Sequence, residues 1–168
     1  MLVNRTLLLV LLFCLSLPAM AAEPVGAGQP GPAFTLPNFP GESGSTSLAE
    51  YRGKVVYVDF WASWCGPCRL SFPQLEKIRA ELAPRGFEVL AINVDEFPED
   101  AAGFLEQFPV SYPVLRDGEG STPARWGILG MPTGYLLDRA GTVRAIHQGW
   151  RRSDGEKLQA EIIQLLGE

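Results

Sequence analysis

The chain has 168 residues, of which 46% are apolar and 20% charged, a globular composition that argues against a disordered, collagen-like or coiled-coil chain. Its length favours one domain with a single core. With 14 basic and 19 acidic residues, the net charge of −5 gives no attraction to nucleic acid or anionic lipid. Three cysteines are too few for a disulfide-stapled scaffold, and one histidine argues against a histidine-rich metal centre.

Residues 1–21 have the pattern of a secretory signal peptide. Arg5 supplies the positive start, residues 7–17 form an apolar run, and Ala19–Ala21 fits the small-residue cleavage pattern. The apolar run is too short to span a bilayer comfortably as a helix; an uncleaved N-terminal anchor is the alternative. We therefore expect export to the periplasm, an oxidising compartment in which only two of the three cysteines remain in the mature protein.

Residues 22–53 predict an N-terminal extension that packs on a domain and does not form one. The segment holds five prolines and a glycine- and serine-rich patch at residues 41–47. Short strands are expected near Phe34–Leu36 and Thr46–Leu48.

The domain itself, residues 54–168, begins with a βαβ pattern. Lys54–Trp61 and Phe87–Val94 are apolar on both faces, which is typical of strands buried in the middle of a sheet. Residues 65–84 between them have apolar side chains at helical spacing, and Pro73 is expected to kink this helix. Two buried strands joined by a helix predict a parallel, right-handed unit.

The second half of the domain alternates short helices and strands. The predicted elements are a helix at Pro98–Phe108, a strand at Pro113–Leu115, a helix ending at Trp126, a hairpin of Thr133–Leu137 and Val143–His147, and a last helix. Thr122 is expected to cap the second of these helices, with Pro123 at its first position. Ser153 and Glu156 predict a capping box for the last one. The element order predicts an α/β fold, a central sheet with helices on both faces.

The run Trp61–Cys68 follows a buried strand and opens a helix. Two cysteines three residues apart on a first helical turn can bring their Cα atoms within about 5–6 Å, as a disulfide requires. Cys65 lies where backbone N–H groups are unpaired and the helix dipole is positive, which stabilises a thiolate. Gly66 and Pro67 let the chain turn into the helix, and Cys68 is expected to be the more buried, resolving thiol. An inert disulfide would not explain this position, and a zinc site would need a second ligand pair. The pattern predicts a redox-active dithiol.

Asp59 lies inside the predicted strand Lys54–Trp61. A carboxylate there costs stability unless it is paired or kept protonated by a raised pKa. Because the chain returns to the two cysteines six residues later, we expect Asp59 to lie beneath them and to exchange a proton with Cys68 as a general acid–base. A purely structural acid is the alternative. Trp64 is either a packing residue or part of a contact surface for substrate.

These residues resemble the thioredoxin superfamily, and in particular the exported TlpA-like branch that includes ResA and the cytochrome c maturation reductases. The matching motifs are Phe34–Pro37, Arg52–Val56, Trp61–Cys68, Phe72-Pro73 and Gly130–Thr133. The resemblance covers about residues 25–168. It implies a thioredoxin fold, a central mixed sheet flanked by helices, with an N-terminal extension and a TlpA-type insertion at residues 98–114.

The resemblance also implies roles for the site residues. Cys65 would be the nucleophile and Cys68 the resolving thiol, with Pro132 a cis-proline that faces them. The backbone of Met131 would pair with an extended substrate segment. The remaining residues of the expected substrate surface are Trp64, Gly66 and Pro67.

Two positions depart from the ResA-like pattern. Ser71 stands where such proteins often have a glutamate three residues after the second cysteine, and Thr133 stands where they tend to have an acid after the proline. The acid role therefore falls to Asp59, which matches the buried acid of thioredoxin. Assignment to a dedicated cytochrome c maturation enzyme is correspondingly weakened.

We therefore predict a periplasmic thiol–disulfide oxidoreductase that reduces protein disulfides by dithiol exchange. Its only redox group would be the Cys65–Cys68 disulfide, with no bound metal or nucleic acid, and a membrane donor of the DsbD type would supply electrons. The alternatives are a cytochrome c maturation thioredoxin and a copper-binding module in which both cysteines and His147 hold Cu(I). A peroxidase-like role is a third.

Overall fold

A computed structural model describes residues 24–39 and 43–168. The predicted signal peptide, residues 1–21, lies outside the described residues. The strands are β1 Thr35–Pro37, β2 Ser45–Ser47, β3 Val55–Trp61, β4 Phe87–Asn93, β5 Val114–Arg116, β6 Thr133–Leu137 and β7 Val143–Gln148. The α-helices are α1 Cys68–Leu82, α2 Pro98–Gln107, α3 Ser121–Trp126 and α4 Asp154–Leu166, with 3₁₀ turns at Leu48–Tyr51 and Ala83–Arg85. In these two ranges, each helix is too short or too polar to cross a membrane.

Five strands form one mixed sheet in the order β5-β4-β3-β6-β7. β3 and β5 both run parallel to β4, whereas β6 is antiparallel to β3 and β7 is antiparallel to β6. β1 and β2 form a separate antiparallel ribbon in the N-terminal extension. The parallel βαβ unit and the hairpin are confirmed, and so is the thioredoxin fold, a mixed sheet flanked by helices.

An apolar layer lies on each face of the sheet, because every residue of β3 and β4 is buried. On one face, Tyr57 and Trp61 pack with apolar residues of α1, α2 and α4. On the other, Val58 and Phe60 pack with Trp126 of α3 and with apolar residues of the extension. The central strands therefore hold the loop after β3 in a fixed place between two packed layers.

Two predicted helix caps are wrong. At α3 the flanking residue is Gly120, and Asp117 does the capping instead of Thr122. Its carboxylate oxygens accept hydrogen bonds from the backbone N–H groups of Ser121 at 3.3 Å and of Thr122 at 2.7 Å. A charged acceptor outside the helix satisfies these free donors and complements the helix dipole.

At α4, Ser153 has helical backbone angles and makes no cap bond. Asp154 instead accepts a hydrogen bond from the N–H of Arg151 at 2.7 Å. The helix therefore starts from a turn that an aspartate closes, and the predicted capping box does not form.

Candidate active site

The two cysteines lie between the end of β3 and the first turn of α1. Cys65 and Cys68 form a disulfide with a Cα–Cα distance of 5.4 Å, inside the expected window. α1 begins at Cys68 and not at Cys65, because residues 65–67 form a tight turn that leads into it. The prediction placed the helix start three residues too early. Both cysteines are buried.

The start of α1 directs a backbone donor at the first sulfur. The N–H of Cys68 donates to Sγ of Cys65 at 3.2 Å. A donor in this place stabilises negative charge on that sulfur, and the positive end of the helix dipole acts in the same sense. The geometry therefore favours a thiolate at Cys65, the species that attacks a disulfide.

The residues around the dithiol divide into a buried frame and an exposed rim. Trp61 is fully buried, with its ring 4.7 Å from that of Phe72. Trp64, in contrast, is 70% exposed. Gly66 and Pro67 are exposed beside it, and a side chain at Gly66 would meet open space. Trp61 is thus a packing residue, and Trp64 is free to contact another molecule.

The bond between Met131 and Pro132 is cis and lies next to the end of β3. Thr133, the first residue of β6, pairs with Phe60 of β3, so the preceding Pro132 lies beside the point where the dithiol loop starts. Met131 packs against the apolar cluster that includes both cysteines. Leu129, two residues earlier, is 92% exposed. The proline loop and the dithiol loop therefore border one surface.

Asp59 is fully buried in the middle of β3, and neither carboxyl oxygen has a hydrogen-bond partner among the described residues. Its neighbours across the sheet are Ala91 and Gly134, which carry no polar side chain. Burial raises the pKa of Asp59 to about 8, since no charge compensates the lost hydration. The sequence predicted that this acid is either paired or kept protonated by a raised pKa. The structure supports the second state, an unpaired acid with a raised pKa. Asp59 also shares a sheet face with Trp61, the face covered by α1.

Asp95 is a site residue that the sequence reasoning missed. It is buried just after β4, and its carboxylate accepts from the N–H of Ser63 at 2.9 Å, from Ser63 Oγ at 3.0 Å and from Asn93 Nδ2 at 2.7 Å. These bonds hold the loop between β3 and Cys65. An acid directly after a buried strand was the available indication, because the carboxyl ends of neighbouring parallel strands meet at one edge of a sheet.

Comparison with known proteins agrees with this geometry. The family model described as Redoxin matches residues 26–161. The chain belongs to the Redoxin family. It is 31% identical over 139 residues to the thiol-disulfide oxidoreductase ResA of Geobacillus thermodenitrificans, covering 83% of this chain and 79% of the relative. It is 34% identical over 125 residues to the thioredoxin-like protein YneN of Bacillus subtilis, covering 73% and 71%.

Solved structures give the same result. A Chlorobium tepidum protein described as a DsbE-type thiol:disulfide interchange protein superposes with a TM-score of 0.81 at 43% identity, covering 85% of this chain and 99% of that one. A solution structure of a thiol:disulfide interchange protein from a Bacteroides species has a TM-score of 0.72 at 25% identity, covering 86% and 92%. The chain is therefore a thiol–disulfide oxidoreductase of the thioredoxin superfamily, with ResA-like and TlpA-like relatives.

Ser71 is the residue after the second cysteine at which the chain departs from the ResA-like pattern, and its side chain is neutral. Ser71 is buried in α1, and its Oγ donates to the backbone oxygen of Cys68 at 3.2 Å. Ser71 is thus bonded within the first turn of the helix, and a hydroxyl group has no acid function here. Asp59 is then the buried acid on the face of the sheet that α1 covers.

A shallow cavity of about 330 Å³ lies between the dithiol loop and α2. Trp64 and Arg69 line one side, and Glu99 and Asp100 of α2 line the other. The acidic side chains Glu99 and Asp100 thus border the exposed rim of the site. The lining of this cavity is therefore both apolar and charged.

The copper alternative is not supported by the geometry. His147 Nε2 lies 2.9 Å from Oε2 of Glu161 in α4. Within residues 24–39 and 43–168, no three side chains of His, Cys, Asp or Glu are grouped as metal ligands would be. The structure therefore does not bring His147 together with Cys65 and Cys68.

Proposed function

We propose that this oxidoreductase is an exported reductase that passes two electrons from its dithiol to disulfides of other proteins. The observation that carries the proposal is the N–H of Cys68 directed at the sulfur of Cys65, 3.2 Å away, at the start of a helix. This contact favours the thiolate of the first cysteine, and the exposed rim with Trp64 gives a protein substrate a surface to approach.

The first chemical step is attack of the Cys65 thiolate on one sulfur of the substrate disulfide. A mixed disulfide forms, and the other substrate sulfur leaves as a thiolate that takes a proton from water. The backbone of Met131, beside the proline loop, holds the substrate segment in an extended conformation by strand addition. Trp64, Gly66, Pro67 and Pro132 contribute the surrounding surface.

In the second step, Cys68 gives its proton to the Asp59 carboxylate and attacks Sγ of Cys65. The Cys65–Cys68 disulfide forms, the mixed disulfide breaks, and the second substrate sulfur leaves as a thiolate that takes a proton from water, so that two electrons have moved to the substrate. With a pKa of about 8, Asp59 lies close to the ordinary thiol pKa of about 8.5. Proton transfer between groups of similar pKa costs little free energy, which suits a general acid–base.

Export and an external electron supply complete the proposal. The N-terminal pattern of residues 1–21 supports secretion to the periplasm, and the relatives named as thiol-disulfide oxidoreductases support dithiol exchange. In an oxidising compartment the electrons must come from a reduced partner. A membrane donor of the DsbD type fits this requirement.

The reduction potential of the Cys65–Cys68 pair tests the direction of transfer. Equilibration with dithiothreitol or glutathione buffers, followed by alkylation of free thiols, measures it. We expect a value below about −200 mV, near those of thioredoxin and glutaredoxins. A value near about −120 mV, that of a strong oxidant, would overturn the reductase assignment. Mixed disulfides trapped by a Cys68→Ser variant in the exported fraction would identify the substrates, and a Cys65→Ser variant is the control that traps none.

A further inference from the structure

A row of residues leads from the buried Asp59 toward the edge of the sheet. In the strand register, Asp59 of β3 lies opposite Gly134 of β6, and Gly134 lies opposite His147 of β7. Residues that are directly opposite one another point to the same face of a sheet. Asp59 and His147 therefore face the layer that contains α4, two strand spacings or on the order of 10 Å apart.

Tyr57 fills the space that the glycine leaves between these two residues. A Cβ at position 134 would overlap the hydroxyl of Tyr57 and the ring carbon that bears it. The ring of Tyr57 lies 5.9 Å from the ring of His147. Tyr57 is two residues before Asp59 on the same strand, so that it shares its face. The phenol hydroxyl thus lies over Gly134, between Asp59 and His147.

The far end of the row reaches solvent. His147 Nε2 lies 2.9 Å from Oε2 of Glu161, and the two side chains are 19% and 30% exposed. Nδ1 of His147 is buried and has no hydrogen-bond partner among the described residues. Nε2 of His147 and Oε2 of Glu161 are close enough for an ion pair but are not aligned for a hydrogen bond, since this Oε2 also has no hydrogen-bond partner among the described residues.

A polar cavity also opens at His147. It has a volume of about 420 Å³ and lies between the end of β7 and the start of α4. Its charged walls come from Arg151, Asp154 and Lys157. Across the sheet, by contrast, Asp59 has only Ala91 and Gly134 as neighbours, and neither offers a polar side chain. The row through Tyr57 is a polar route that leads from Asp59 to this cavity.

We propose that Tyr57 and His147 relay the proton of Asp59 to and from solvent. This inference rests on the acid–base role proposed above for Asp59. The protonated Asp59 gives its proton to the hydroxyl oxygen of Tyr57 while the hydroxyl proton moves to Nδ1 of His147. The imidazolium beside Glu161 then releases a proton to water. No electrons move, and Asp59 is a carboxylate again.

Both links of the relay, from Asp59 to Tyr57 and from Tyr57 to His147, close through one water or a side-chain rotation, because neither Asp59 oxygen nor Nδ1 of His147 has a hydrogen-bond partner among the described residues. Asp59, with a pKa of about 8, is mostly protonated at pH 7. It must therefore release a proton before it can accept that of Cys68. A variant that lacks the relay should therefore show a slower second step even in a single turnover.

The reaction of the reduced protein with Ellman's reagent separates the two steps. The first thionitrobenzoate is released when Cys65 attacks, and the second when Cys68 resolves the mixed disulfide. The variants are His147→Ala and Tyr57→Phe, with Arg144→Gln as matched control. Arg144 also joins β7 to the end of the α4 segment, through a 2.8 Å contact with Glu168, but lies outside the row.

We expect the second release to slow about tenfold at pH 7 in both relay variants, less than the 10²- to 10⁴-fold loss typical when a general acid–base itself is removed. The rate of the first release should be unchanged in both relay variants. In the Arg144→Gln protein, both rates should be unchanged. Free imidazole should restore the second step in His147→Ala, because the cavity admits it, and not in Tyr57→Phe. The difference should shrink above pH 9, where Asp59, with a pKa of about 8, is already a carboxylate and needs no relay. Urea unfolding shows that each variant is folded.

The outcomes separate the relay from the acid–base role. If Asp59→Asn leaves the second release unchanged, the proposed role of Asp59 is wrong and the relay falls with it. If Asp59→Asn slows that step but both relay variants behave like the control, only the relay is wrong. A second measurement does not depend on any variant. Because the sequence contains one histidine, its ring nitrogens give one set of NMR signals in untagged protein. A proton on Nδ1 in the neutral form would contradict the relay.

Discussion

Replacement of Asp59 by asparagine should make the protein more stable and less active at the same time. The carboxyl group is fully buried without a partner, between Ala91 and Gly134 in the sheet. Asparagine has nearly the same shape and cannot ionise. The change therefore removes the effect of charge on folding and leaves the packing of β3 almost unaltered.

The size of the effect follows from the raised pKa of Asp59. Burial moves it from 3.8 to about 8, so between these pH values the folded chain keeps a proton that the unfolded chain has lost. Stability therefore falls as the pH rises through this window and levels off above it. Each pH unit in the window costs about 1.36 kcal/mol. At pH 7 the loss of unfolding free energy reaches about 4 kcal/mol. This value is the upper limit of the stability that Asp59→Asn can restore.

Urea unfolding of the oxidised proteins at pH 4, 5.5, 7 and 9 measures this difference. We expect the two free energies of unfolding to agree within about 1 kcal/mol near pH 4 and to diverge steadily up to about pH 8. Asp117→Asn is the control, since this buried carboxylate has partners at the start of α3 and its loss should only destabilise. A difference between Asp59→Asn and the parent that does not change with pH would refute the reasoning.

Four other substitutions test the site and its frame. Asp95→Asn loosens the loop before Cys65 and should slow dithiol exchange by at least about tenfold in an insulin-reduction assay. Ser63→Ala should cost only about 1 kcal/mol of unfolding free energy in urea. Equal rates for the parent and Asp95→Asn would show that Asp95 does not hold this loop for catalysis. Trp64→Ala should raise KM for a protein disulfide without changing the melting temperature, and an unchanged KM would exclude substrate contact. Arg79→Ala leaves the buried Glu88 without its 2.9 Å partner, and should cost about 2 kcal/mol in urea unfolding.

The fold and the dithiol could be predicted from the sequence because both depend on local pattern. β3 and β4 are apolar on both faces, and that pattern fixes their place in the middle of a sheet. The spacing of Cys65 and Cys68 at the start of a helix fixes their separation within the range of a disulfide. The prediction of Asp59 as a buried acid followed from its apolar neighbours along one strand.

The features that the sequence did not predict depend on side chains meeting across elements. Asp117 caps α3 from a loop, and Asp95 holds Ser63, which is 32 residues earlier in the chain. Nothing near Ser63 in the sequence indicates this contact. The proximity of His147 to Tyr57 could not be predicted either, because the place of Gly134 between them appears only in the strand register.

The cost of Asp59 to stability and its proposed use in catalysis have one physical cause. Ala91 and Gly134 offer no hydrogen bond, so the ionised carboxylate is disfavoured, and the same absence brings its pKa close to that of a thiol. A polar partner in either position would stabilise the carboxylate and lower its pKa, which would leave it too weak a base for Cys68. A fold that uses this acid must therefore leave it unpaired, and it then requires a separate route by which the proton can leave.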